Sequence, residues 1–352
     1  MKLLFKAIGL LLLLGLAFTF LAVYAVGSGW FGSVEHAGSA TGAGLPKAAI
    51  EARRVRQQEA GESSFGSPAE KQILFGDLHV HTTFSFDAYT MSLPVAKGDE
   101  GSHPLADACD FARYCSALDF WSINDHAEQL TPRLWQETID SIRQCNSLAG
   151  DPANPDTVAF LGWEWTQTGP TAGAHFGHRN VVLRDMDEAS IPPRPIAAPG
   201  QGMPIPPLAA RGVLAIAAGD QRSRDVMAYL RELDDTPLCV DGDAADAPCR
   251  EVAEDPNALF EKLDRLGMAS MVIPHGTTWG IYSPPGTDWR KQLARYHDPS
   301  RQTLLEVFSG HGNSERWIRN QAFTLEADGS RRCPEETPAY LPGCRQAGRI
   351  IY

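Results

Sequence analysis

The chain has no concentrated run of lysine or arginine, and its formal net charge over 352 residues is −12. A nucleic-acid-binding surface needs a basic stripe, so no nucleic-acid partner is expected. A small anionic substrate remains admissible, because a bound metal ion reverses the local sign of charge. No C-x-x-C pair occurs, which argues against a structural zinc ribbon. No G-x-S-x-G elbow, P-loop or dinucleotide fingerprint occurs either, so nucleophilic-serine and nucleotide chemistry have no signature here. Internal repeats are absent.

Charge is missing altogether from Ala7 to Val26, a run of twenty residues. That length lets a helix cross a hydrocarbon core of roughly 30 Å. The apolar core of a secretory signal is shorter, about 7–15 residues. Residues 1–26 are therefore expected to form a transmembrane anchor. Val23 and Ala25 offer a small-residue cleavage site, so a cleaved signal is the alternative. Lys2 and Lys6 precede the run, and no Lys or Arg follows until Lys47. This asymmetry places the N-terminus in the cytoplasm and the rest outside, in the periplasm or secreted if the segment is cleaved.

Seven cysteines agree with an oxidising compartment. Cys239 and Cys249 bracket an acidic loop, and Cys333 and Cys344 bracket a proline-rich one. Both pairs are candidate disulfides. Cys109, Cys115 and Cys145 supply either a third bridge and a free thiol, or three reduced core residues. An odd total leaves at least one thiol without an intrachain partner.

Residues 27–70 are rich in Gly, Ala and Ser and read as a flexible linker, with helix around Lys47–Ala60. The remainder, 71–352, reads as one domain; the 43% hydrophobic content of the chain is ordinary for a substantial core. Strand-like runs recur at 73–80, 118–124, 157–164, 179–183, 270–274 and 304–308. Helix-like stretches lie at 107–118, 132–148, 222–233 and 256–266. This alternation predicts an α/β domain with largely parallel strands. Residues 191–208 hold seven prolines and are expected to be an irregular surface excursion.

The richest local signal is Asp77-Leu-His79-Val-His81-Thr-Thr-Phe-Ser85-Phe-Asp87 at the end of the first strand. His79 and His81 are two apart and project from one face of a strand. Two imidazoles with a nearby carboxylate suit Zn, Mn or Fe. Other strands also run into histidines and carboxylates. The run from Leu118 ends at Asp125-His126, that from Val158 at Glu164, that from Met271 at His275, and that from Leu304 approaches His311. Catalytic groups gather in this way at the carboxyl ends of barrel strands.

These residues resemble the polymerase-and-histidinol-phosphatase (PHP) superfamily of metallohydrolases. Its opening signature, D-x-H-x-H-T-x-x-S-x-D, is matched by Asp77, His79, His81, Thr82, Ser85 and Asp87. Its T-D-H signature is matched by Asn124-Asp125-His126, with Asn in place of Thr. Gly162-Trp163-Glu164 matches a third signature, and His275-Gly276 a fourth. More narrowly, the wording around Asp119–Glu128, Ile273–Gly280 and Glu306–Glu315 is similar to the domain-of-unknown-function family 3604.

The resemblance implies a distorted (β/α)7 barrel with two or three divalent transition-metal ions. His79 and His81 would hold one ion, Asp87 and His126 a neighbour, and Glu164 would bridge. His178, or alternatively His175, and His275 would complete the set. Asp125 would orient an imidazole, Glu306 would lie just outside the ligands, and His311 would contact substrate. The implied activity is metal-dependent hydrolysis of a small anionic substrate, with a phosphoester favoured. An amide hydrolase and a non-catalytic metal-containing envelope protein are the alternatives. The family's final Asp-x-His motif has no counterpart after Glu306, and six strand candidates stand where the barrel needs seven. The barrel is therefore expected to be incomplete in this chain, its C-terminal part missing.

Overall fold

The computed structural model describes residues 2–66, 72–93, 102–200, 205–240, 242–244, 247–276, 295–306, 324–332 and 335. His311 and the Cys333–Cys344 pair lie outside the described residues.

The chain opens with α1 (Lys2–Gly27), whose 4–27 portion is long and apolar enough to cross a membrane. Helix α2 (Lys47–Phe65) follows. The expected linker is laid along the domain. Ala37, Ala40, Thr41 and Leu45 donate backbone N–H groups to Glu137, Gln144, Asp110 and Asp156 in turn. Gln57 on α2 reaches the Asp119 carboxylate at 2.6 Å.

Strand β1 (Gly76–Val80) pairs in parallel with β2 (Phe120–Ile123), and β2 pairs in parallel with β3 (Val158–Phe160). Parallel neighbours need long crossovers. Helices α3 (Phe86–Met91) and α4 (Leu105–Asp110), the latter continuing as a π-helix over Phe111–Cys115, provide the first. Helix α5 (Pro132–Ser147) provides the second. It starts where Thr131 accepts from the Leu134 N–H and Pro132 supplies a helix-ready φ. Its Leu134, Trp135, Thr138, Ile139, Ile142 and Cys145 recur at helical spacing and are buried.

The second sheet differs from expectation. Strands β4 (Gly162–Thr168), β5 (His175–Leu183) and β6 (Ser270–His275) are antiparallel, in the order β6-β5-β4. Only residues 169–174 join β4 to β5, too short a connection for a crossover helix. The two sheets meet at Leu161, and a parallel bridge between His126 and Glu164 links them. Residues 301–306 run beside β6, with Val272 and Glu306 N–H groups bonded to Arg301 and Pro274 carbonyls. The described part of the expected strand at 304–308 forms no regular strand. Among the described residues the sheets are small and do not close on themselves.

Helices α6 (Leu208–Ala218), α7 (Gln221–Asp235) and α8 (Pro256–Arg265) complete the set of longer elements among the described residues. Asp220 caps α7 and Asp255 caps α8, each accepting an N–H of the first turn.

The proline-rich stretch does not stay on the surface as expected. Residues 194–198 are buried, and Ile196–Ala197 pairs in parallel with Glu251–Val252. Proline brings no N–H to satisfy, so such a chain enters a core at small polar cost.

Among the described residues two disulfides form, Cys109–Cys145 and Cys239–Cys249. Cys115 is the free cysteine among the described residues and is exposed.

Candidate metal centre

Strand register assembles the site. Glu164 and Thr166 are two apart on β4 and share a face. Thr166 opposes His178 on β5, and His178 opposes His275 on β6. Across the seam between the sheets, β1 contributes His79 and the segment just after it His81, while His126 follows β2. Asp87 sits in the first turn of α3 and meets His126 Nε2 at 3.2 Å.

Glu164 is at the centre and fully buried. Its Oε2 lies 3.2 Å from His79 Nε2 and 3.0 Å from His81 Nε2. Its Oε1 lies 2.6 Å from His178 Nδ1 and 3.5 Å from both His126 Nδ1 and His275 Nε2. One carboxylate therefore turns a different oxygen to each of two histidine sets. The convergent groups are His79, His81 and Glu164; His81, Asp87 and His126; His126, Glu164 and His178; and His79, His275 and Glu306. All seven residues expected as ligands belong to these groups. None of the groups includes His175, which lies beyond a bulge in β5 and faces the Gly276 carbonyl at 3.3 Å.

The surrounding bonds orient the rings. The Ser85 hydroxyl donates to Asp125 Oδ1 at 2.9 Å, so it receives the His81 Nδ1–H at 2.8 Å and leaves the His81 Nε2 lone pair facing Glu164. Glu306 accepts from His79 Nδ1 at 2.8 Å, so Nε2 is the nitrogen turned toward Glu164. Asp125 also accepts from the Thr82 N–H and hydroxyl, both at 2.7 Å. It is fully buried and acts through Ser85, which makes it a positioning residue. Thr166 and Glu128 were missed as site residues. The Thr166 hydroxyl donates to Glu164 Oε1 at 2.6 Å, and Glu128 holds the Thr166 and Ala198 N–H groups at 2.9 and 2.7 Å. Thr166 was legible as the residue two beyond Glu164 on one strand face. Glu128 has no local signal.

The donor set fits divalent transition-metal ions. A tetrahedral shell with bonds of about 2.0–2.1 Å puts neighbouring donors roughly 3.3 Å apart. His79 Nε2, His81 Nε2 and Glu164 Oε2 are separated by 2.9–3.2 Å. With both rings neutral the facing Nε2 atoms, 2.9 Å apart, would be two lone pairs that cannot satisfy one another; a proton fills that place in the metal-free protein, and a metal cation between them and the carboxylate would replace it.

Electrostatics point the same way. Burial lowers the His79 pKa, but hydrogen bonds and charge from Glu164 and Glu306 outweigh it and raise it to about 10. Burial is likewise outweighed at His126, where Glu164 and Asp87 hold the ring at about 10. Burial dominates at His178, lowering it to about 3 against the pull of Glu164. Glu164 is held well below the carboxylate range: burial raises it, but the charges of His126, His275 and His178 prevail. Burial pushes Glu128 up to about 7, opposed by the His126 charge. His79 and His126 are thus protonated at pH 7 in the metal-free protein, and a metal needs both neutral. Zinc uptake at pH 7 should therefore release about two protons per chain, and affinity should rise with pH up to about 10. Calorimetry in two buffers of different ionisation enthalpy measures the release. Zinc uptake without proton release would show that His79 and His126 are already neutral at pH 7.

A cleft of about 770 Å³ opens beside His79 and His81 and reaches α4, with Asp77, His103, Asp107 and Tyr114 on its walls. A second cavity, of about 850 Å³, is lined mainly by apolar residues such as Leu74, Phe120, Val182 and Met271 and contains none of the candidate ligands.

A family model described as a protein of unknown function (DUF3604) matches residues 68–133. The matched span carries His79, His81, Asp87, Asp125 and His126 and ends before Glu164. No curated protein and no solved structure matches the chain.

Proposed function

We propose that this chain is an exported, membrane-anchored, metal-dependent hydrolase of the PHP type, acting on a phosphoester. The observation that carries the reading is Glu164, whose two oxygens face His79 and His81 on one side and His126, His178 and His275 on the other. That is the arrangement of a carboxylate shared by two ions. The two sheets, set side by side with histidines at their adjoining ends, are compatible with part of a distorted (β/α)7 wall. The apolar α1 and two disulfides suit a domain held outside the cytoplasmic membrane.

Two or three divalent transition-metal ions (Zn, Mn or Fe) bound here would acidify water and offset charge developing on phosphoryl oxygens. His79, His81 and Glu164 would hold one, and His126, Asp87, His178 and the other Glu164 oxygen a neighbour. Glu306 and the Asp125–Ser85 pair keep two imidazole lone pairs aimed inward. The cleft gives substrate access to the His79 and His81 side.

One observation favours a second reading, hydrolysis of an amide. The described residues lining the cleft include Asp77, Asp107 and Asp110 and no lysine or arginine. A dianionic phosphate would depend on the metals alone for charge balance, whereas an amide would not.

Full-length protein loaded with Mn, Zn or Fe separates these readings when assayed with an aryl phosphoester and an aryl amide. Turnover of the phosphoester alone supports the proposal. Turnover of the amide alone moves the assignment to an amidohydrolase. Bound metal with neither activity supports a non-catalytic envelope protein. In the same preparation, Asp125→Asn should weaken metal binding by about 10–100-fold, the scale of an outer orienting group. Unchanged affinity would show that the Ser85 relay does not orient His81.

A further inference from the structure

Helix α6 contains a single charged residue, Arg211, and that residue is turned inward. Its guanidinium donates to Asp234 of α7 at 2.6 Å and to the Pro206 carbonyl at 2.7 Å. The outward side presents Val213, Leu214 and Ile216, which are 54%, 57% and 48% exposed. Exposed alanines at 209, 210, 217 and 218 fill the space between them. A helix covering a water-facing domain shows polar residues on that side. A contiguous apolar strip marks contact with something apolar.

Its position identifies the contact. A Cβ on Gly212 would lie 2.0 Å from the Val23 carbonyl oxygen, and one on Gly27 would lie 2.4 Å from that of Leu208. The backbones of α1 and α6 therefore touch through glycines, the contact small residues permit between membrane helices. Val23 is one turn, about 6 Å, back from the end of α1. The middle of α6 thus lies level with the last turns of α1. Tyr24, Trp30 and Phe31 are exposed at the same end, with the Tyr24 and Trp30 rings 6.4 Å apart. Aromatic residues of this kind gather where a span meets water.

We propose that α6 is a second membrane element, running down beside the C-terminal end of α1 into the outer leaflet of the bilayer with Val213, Leu214 and Ile216 among the acyl chains. The inference rests on the reading of α1 as a membrane span. Leu208 meets Gly27 and Gly212 meets Val23, so one turn forward on α6 is one turn back on α1, and the helix, about 16 Å long, runs antiparallel beside the span. The domain would then be held by two elements and could not swing freely on α1.

The test uses full-length protein in phosphatidylcholine–phosphatidylglycerol vesicles. A nitroxide is placed at Ile216→Cys, and separately at Leu214→Cys, in a Cys115→Ala background; the parent without an added cysteine sets the background label. Leu14→Cys on α1 and Val55→Cys on α2 are references for lipid and water. Collision with oxygen and with a water-soluble nickel chelate is read at each site. The expected result is a ratio of oxygen to chelate accessibility at 214 and 216 several-fold above that at 55, approaching that at 14. Lipid-like values at 14 with water-like values at 214 and 216 would overturn the α6 inference and leave the span intact. Exclusion of both reagents at 214 and 216 would overturn it in favour of a protein contact. Water-like values at 14 would remove the span and the α6 inference together.

Discussion

Replacing Glu164 by glutamine is expected to strip the protein of its metal, weakening binding by more than the roughly 10–100-fold cost of an outer orienting group. Glutamine keeps the shape of the side chain. It removes the charge and turns one oxygen into an N–H donor. Oε2 faces His79 and His81, and Oε1 faces His126, His178 and His275. Whichever way the amide is placed, its NH₂ meets imidazole nitrogens that a metal needs as lone pairs. Asp87 and Glu306 cannot replace it, because each lies at the rim beside one or two histidines. Elemental analysis of variant and parent, purified in parallel, reads the outcome. Full metal content in Glu164→Gln would remove the carboxylate from its bridging place, and with it the central support for a paired-ion hydrolase.

The residues that converge on Glu164 were legible in the sequence as candidate ligands because metal chemistry admits few residue types and strand geometry fixes their spacing. His79 and His81 converge by being two apart, His126 follows β2 and His275 closes β6, whereas Glu164, expected to end its strand, stands third in the seven-residue β4. His178 was separable from His175 only through register: it opposes Thr166 and His275 at once. The long helices α5, α7 and α8 showed their 3.6-residue periodicity and capping residues. The antiparallel half did not follow from strand–helix alternation. Its cue was Gly169-Pro170 and Gly173, turn residues that favour a short reversal over a crossover. The strap formed by residues 37–45 was not legible. Its bonds go to Glu137, Gln144, Asp110 and Asp156, about 70–110 positions away, and no local pattern reports them. Glu306 is intermediate. It was visible at the end of an apolar run, but its bond to His79 spans 227 residues.

Arg113→Ala should cost about 3–5 kcal/mol, the loss expected when one member of a buried ion pair is removed. Arg113 Nε donates to Asp156 Oδ2 at 2.8 Å, and neither side chain has solvent exposure. The same guanidinium donates to the Cys145 carbonyl at 2.9 Å and lies against the Cys109 sulfur, so it ties the ion pair to the disulfide joining α4 and α5. Asp156 Oδ2 also accepts the Leu45 N–H at 2.7 Å, which fixes the strap to the same point. Alanine would leave a buried carboxylate facing a cavity. For a domain of this size the loss corresponds to a fall in Tm of roughly 6–20 °C. A thermal melt within about 2 °C of the parent would show that Asp156 finds water or another cation. Adding Asp156→Asn to Arg113→Ala should recover part of the loss, because the uncompensated charge, rather than the missing attraction, carries most of the cost. The π-helix of this region borders the cleft beside His79 and His81, but none of the convergent metal-binding groups includes Arg113 or Asp156. Metal content per folded chain should therefore stay at the parental level in both variants, while the folded fraction of Glu164→Gln loses metal.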